Sequence, residues 1–141
     1  MYQHVKFKGW RHIIADNCLL SHLKPHIMKD FMLIFIGEDY EDMGMSPEQM
    51  QERMGRWHEW SQKMNANGVE HQGEALHSPV TRLSGEERTR TDMAAAEVKE
   101  LVGGYYVVKV KDREAAIEVA KDFPDFDLGS TVEIREVVVF G

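Results

Sequence analysis

The chain predicts a mixed α+β fold, with two helices on one face of an antiparallel sheet, and three observations carry that expectation. A continuous apolar run at 31–36 ends in Gly37, the pattern of a central strand buried on both faces. Two segments of helical period, at 47–67 and after Asp112, each begin at a capping residue. Strand-like runs separate and follow them, most clearly at 104–110 and 131–140.

Each element has its own local reasons. After an acidic loop (Glu38, Asp39, Glu41, Asp42), Ser46-Pro47-Glu48-Gln49 supplies an N-cap, a first-turn proline and a glutamine at the capping-box position. Met50, Met54, Trp57, Trp60 and Met64 then recur at near-helical spacing, and Gly68 stands where a left-handed C-cap is wanted. Residues 69–77 read as a strand broken by Ser78-Pro79, and 80–83 and 89–92 as a hairpin turning at Ser84-Gly85. The three alanines within 93–102 favour a helical turn or two. Tyr105 to Val110 is a strong strand signal, and Asp112 caps a helix whose Ala115, Ala116, Val119, Ala120 and Phe123 share a face before Pro124. The order β-α-β, hairpin, β-α-β gives a ferredoxin-like α+β arrangement.

With 141 residues the chain suits one domain with a real core. A 43% hydrophobic and 29% charged composition belongs to a water-soluble protein, its apolar runs too short to span a membrane, and a cytoplasmic location is expected. The lone Cys18 excludes an internal disulfide and any Cys-x-x-Cys metal or redox motif. Charge is divided unevenly, at +4 for residues 1–29 and −11 for residues 30–141. An acidic body repels phosphate backbones, so nucleic-acid binding is not expected. Residues 1–27 read as a poorly ordered basic extension of a domain at 28–141. His4, His12, His22 and His26 in that extension are too irregularly spaced to suggest a metal site.

Several polar residues are candidates for chemistry. Asp92 stands at a strand end before a loop and reads as a general base or ligand anchor, or as the cap of the turn that follows. Glu74 lies between Gly73 and Ala75, small neighbours that leave room for a ligand if it faces inward; facing outward it is a solvated charge. His58 borders the apolar stripe of the first helix, where an imidazole suits proton transfer near neutral pH. His71, Glu74 and His77 are three apart, but on a strand that spacing sends Glu74 to the face opposite both histidines, which argues against a metal site. Trp57 could wall a ligand cleft and Lys99 could contact an anion, while Tyr105 and Tyr106 point to opposite faces of their strand, one into the core. Gly103-Gly104 lacks the spacing of a phosphate-binding loop.

The run Thr91-Asp92, then Ala96-Glu97, Lys99-Glu100 and Gly103-Gly104-Tyr105-Tyr106, resembles the YCII-related family, in the branch marked by an Asp-Gly-Pro-Phe motif. Phe31 to Phe35, the tryptophan-bearing helix, Gly73-Glu74-Ala75-Leu76 and the last strand extend the likeness. The departure falls at the naming motif, where Met93, Ala94 and Ala95 replace Gly, Pro and Phe. The resemblance implies the dimeric α/β-barrel version of the fold, and a cofactor-independent proton-transfer or lyase-type chemistry on a small molecule. No metal is expected. The apolar end of the last strand adds a motive for a homodimer through the sheets. No complete catalytic constellation can be read from spacing. Two readings therefore stand, an acid/base enzyme using Asp92, His58 and Glu74, and a non-catalytic binding, regulatory or structural dimer.

Overall fold

The computed structural model describes residues 27–141. The readings of the N-terminal extension and of its four histidines lie outside the described residues, apart from Ile27. The elements run β1 (Lys29–Ile36), α1 (Pro47–Ala66), β2 (Glu70–Ala75), β3 (Val80–Ser84), β4 (Thr89–Met93), β5 (Val102–Val110), α2 (Arg113–Ala120) and β6 (Thr131–Glu136), with short 3-10 turns at Ala95–Glu97 and Phe126–Leu128. The main sheet is antiparallel in the order β2-β5-β1-β6, and β3 and β4 form a separate hairpin. This is the predicted mixed α+β architecture, consistent with a ferredoxin-like core.

Helix α1 starts as its sequence requires. Ser46 Oγ accepts from Gln49 N–H, and Gln49 Oε1 accepts from Ser46 N–H, closing the capping box ahead of Pro47. In α2, Asp112 caps by accepting from the Ala115 amide at 2.9 Å.

The two helices cover the sheet face formed by Phe31, Leu33, Phe35, Tyr106, Val108 and Val110. Phe35 is its centre. Its ring stacks on Phe123 at 5.1 Å and meets Trp57, Tyr106 and Trp60 edge-on at 5.0, 5.4 and 5.8 Å. The layer between helices and sheet around Phe35 is thus filled by interlocked rings. Trp60 is buried and donates its indole N–H to Val119 O at 3.0 Å, so this end of the layer is also tied by a hydrogen bond.

The helical turn expected within 93–102 is present as a single 3-10 turn, Ala95–Glu97, before Val98 returns to extended backbone. One segment departs from expectation: the last strand ends at Glu136 rather than near 140. The Val137 amide still donates to Asp30 O at 2.9 Å, but the regular pairing with β1 stops at Phe31 and Glu136. Val138, Val139 and Phe140 are left exposed.

Candidate functional site

The loop after β1 and the loop after α2 meet over the N-terminal half of α1. There Tyr40 donates its hydroxyl proton to Asp125 Oδ2, and Trp57 Nε1 donates to Tyr40 Oη at 2.9 Å. Arg53, one turn before Trp57, donates from Nη1 to Pro124 O at 3.1 Å and lies 3.5 Å from Asp125 Oδ1. Its guanidinium also grips Asp127 with both nitrogens, at 2.6 and 2.7 Å, the bidentate geometry that fixes a carboxylate most firmly. Arg56 adds a third donor to Asp127 at 3.1 Å and pairs with Glu52 at 2.8 Å.

Asp125 is only 5% exposed. Burial pushes its carboxyl pKa up, against the lowering effect of Tyr40 and Arg53. Burial, with Asp125 beside it, also raises Tyr40 above the usual phenol range. Asp127, exposed and held by Arg53 and Arg56, is lowered to about 2. Two carboxylates two positions apart therefore hold their protons very differently, the separation that acid/base sites exploit.

A shallow groove of about 290 Å³ opens beside this network, lined by Arg56, Glu59, Trp60, Lys63, Asp122 and Pro124. It runs into a second of about 360 Å³ between α1 and α2, which shares Trp60, Lys63 and Asp122. The Lys63–Asp122 ion pair of 2.6 Å ties α1 to the turn that follows α2, at a point both grooves share.

Of the residues singled out in the sequence, only Trp57 belongs to this network. His58, the next residue, is exposed on α1. Glu74 is exposed on the sheet face away from the helices, paired in register with Tyr105. Of its two alternatives it takes the outward one, a solvated strand charge. The close approach is at Gly73, on the opposite face, where a Cβ would meet Tyr105 O at 1.9 Å and the Tyr106 ring at 2.5 Å. Gly73 is small to admit Tyr106, which lies against Trp60 and His71 and supplies the core tyrosine of the pair. Lys99 is exposed in the segment before β5. Asp92 sits on the hairpin, where it accepts from Thr81 Oγ1 at 2.7 Å and Arg90 Nε at 3.2 Å. These bonds, Thr81 first, hold its carboxyl below the usual range. The capping alternative for Asp92 fails, since Ala94 occupies the cap position and Glu97 Oε2 accepts from its amide at 3.0 Å. Within one chain Asp92, Glu74 and His58 stay on separate elements. Among the described residues no group of three or more His, Cys, Asp or Glu could hold a metal ion.

Tyr40 and Asp125 escaped the sequence reading because their loops carry no motif, and 85 positions separate them. The acidic loop holding Tyr40 and the Pro124-Asp125 stop of α2 were visible as loops, but only the fold brings them together.

The fold and this network define a mixed α+β domain, consistent with a ferredoxin-like core, in which half-buried Tyr40 bonds buried Asp125 beside the helices. The YCII-related domain matches residues 32–141, and the chain belongs to that family. No curated protein matches the chain. Among the described residues no helix is long and apolar enough to cross a membrane.

Proposed function

We propose that the protein binds a small carbon acid and moves a proton on it without a cofactor, with Asp125 as the base and Tyr40 as the relay. The observation that carries this reading is a carboxyl 5% exposed, raised in pKa by burial, and joined to a tyrosine hydroxyl. As the Tyr40 oxygen takes a proton from substrate carbon, its own proton passes to Asp125. Trp57 and Arg53 orient the pair, and Arg56 and Lys63 place cations on the rim of the adjoining groove, which suits a substrate carrying a carboxylate.

The same reading includes a homodimer. Met32, Ile34, Ile36, Tyr105 and Val107 are only partly covered in the single chain and lie on the face without helices. A second sheet packed there would remove this surface from water. Sedimentation is expected to give a dimer for the native chain and a monomer for Val107→Lys. A native monomer would end this part of the proposal.

The proton-transfer test is deuterium wash-in, followed by proton NMR in D₂O, across a panel of small keto acids and lactones. The native protein should exchange the α-proton of at least one member. Asp125→Asn should lose that exchange, and Asp92→Asn should keep it. Exchange that survives Asp125→Asn sinks the assignment. A second reading, a purely structural latch, is favoured by one observation: among the described residues no buried side-chain polar atom lacks a partner. It predicts no exchange with any member of the panel and a loss of stability alone when the pair is cut.

A further inference from the structure

A different pair of side chains, independent of Tyr40 and Asp125, closes the other end of the helix–sheet layer. Ser61 on α1 and His71 on β2 meet with Oγ and Nε2 2.7 Å apart. The second ring nitrogen, Nδ1, lies 3.2 Å from the Val69 carbonyl oxygen. A carbonyl can only accept, so this contact is a hydrogen bond only when Nδ1 carries the proton. The neutral ring then presents a bare Nε2, and the serine hydroxyl must be the donor to it. Serine donating to an imidazole whose far side is anchored is the arrangement of a nucleophile and its general base. Here a backbone carbonyl takes the anchoring place that a carboxylate often fills.

The pair is also accessible. Ser61 and His71 are both partly exposed, and β2 is an outer strand of the main sheet. The free edge of such a strand carries unpaired amide N–H groups, donors of the kind that stabilise an oxyanion. Tyr106, with its ring centre 5.5 Å from that of His71, provides an apolar wall for an acyl chain.

We infer that Ser61 is an acyl-accepting nucleophile with His71 as its base, acting on small activated acyl compounds such as esters or thioesters. Ser61 Oγ forms a bond to the acyl carbon while its proton passes to His71 Nε2 and the carbonyl electron pair moves to oxygen. Collapse of that adduct breaks the bond to the alcohol or thiol, which leaves with the proton from His71. Water then attacks the acyl-serine, giving its proton to His71, and the acid departs as Ser61 recovers its hydrogen.

The test uses a fluorophosphonate probe on the full chain, read by intact mass and peptide mapping, with p-nitrophenyl acetate as the acyl donor in parallel. One adduct per chain on the Ser61 peptide is expected, with none in Ser61→Ala. The labelling rate should fall on the order of 100-fold in His71→Gln, the scale of general-base assistance. No adduct at Ser61, or an unchanged rate in a folded His71→Gln protein, overturns the inference. A measurement on the native chain guards against misfolded variants: long-range ¹H–¹⁵N spectra should show the Nδ1–H form of His71. The Nε2–H form would overturn the inference, because Nε2 could not then accept from Ser61.

Discussion

Asp125 and Asp92 have the same kinds of partner and opposite fates. Asp125 accepts from a tyrosine hydroxyl and an arginine, and Asp92 accepts from a threonine hydroxyl and an arginine. Yet the first holds its proton more tightly than a free carboxyl and the second more loosely. The difference is water. Asp125 is closed between two loops and α1, where desolvation outweighs its bonds, whereas Asp92 stands 58% exposed on a hairpin, where the bonds act almost unopposed. Hydrogen-bond partners alone therefore do not identify a reactive carboxylate; its burial does.

The largest separation between the two regions should come from removing the arginines. Arg53→Ala strips the donor from Pro124 O and leaves Asp125 and Asp127 without their shared cation, so a loss of about 2–3 kcal/mol is expected. Arg90→Ala breaks an ion pair whose partners are 68% and 58% exposed, and its urea midpoint should match that of the native chain. Equal losses in the two variants would break the comparison.

Removing the hydroxyls gives the next effect. Tyr40→Phe takes the hydroxyl donor from Asp125 Oδ2, leaving only Arg53 on the other oxygen, and leaves the Trp57 N–H without an acceptor, a cost of about 1–2 kcal/mol. Thr81→Val removes only an exposed bond on the hairpin, and β-branched valine suits a strand, so stability should hold.

The pH dependence sharpens the contrast within the first region. Asp127, lowered to about 2, contributes stability that is present above the ordinary carboxylate pKa and is lost as pH falls towards 2. Asp125 has the opposite sign. Its pKa is raised on folding, so its charge opposes folding at neutral pH, and that opposition is relieved as pH falls through its folded value. Carboxyl ¹³C titration should place Asp125 above, and Asp92 and Asp127 below, the usual aspartate value. In Arg53→Ala the Asp127 resonance should move back towards that value.

Much of the fold was legible because its signals are local. Ser46, Pro47 and Gln49 fixed the start of α1 by chemistry within one turn, and Gly68, with φ of +71°, marked its end. Tyr105 and Tyr106 were correctly expected on opposite faces because alternation along a strand is geometric. The end of β6 was not legible, since Val137 to Phe140 are excellent strand residues and nothing in their own sequence marks the point where pairing with β1 stops. The candidate site was the least legible part. Trp57 could be singled out as an aromatic on the apolar stripe of α1, but Tyr40, Arg53 and Asp125 owe their meeting to loop closure, which has no period and no spacing. Glu74 shows the converse, since its flanking Gly73 was a real signal for close approach, made by Tyr106 instead of a ligand.

The smallest effect is expected at the exit of the hairpin, where Met93, Ala94 and Ala95 stand in place of the Gly-Pro-Phe of the motif this run resembles. Ala94 stands where the motif has proline, and its φ of −71° already lies in the range a proline ring imposes. Met93 before it closes β4, and extended backbone is what a residue preceding proline requires. Ala94→Pro should therefore fit without strain and gain about 0.4–1 kcal/mol by restricting the unfolded chain. It also deletes the amide that donates to Glu97 Oε2, an exposed bond of modest net value. The two terms oppose, and a urea midpoint within about 0.5 kcal/mol of the native protein is expected. A large loss would mean that this exposed bond holds the hairpin, placing Asp92 in a region as tightly organised as that of Asp125. A clear gain would mean that backbone preference alone already shapes the turn as a proline at position 94 would, with Ala94 changing its side chain but not its path.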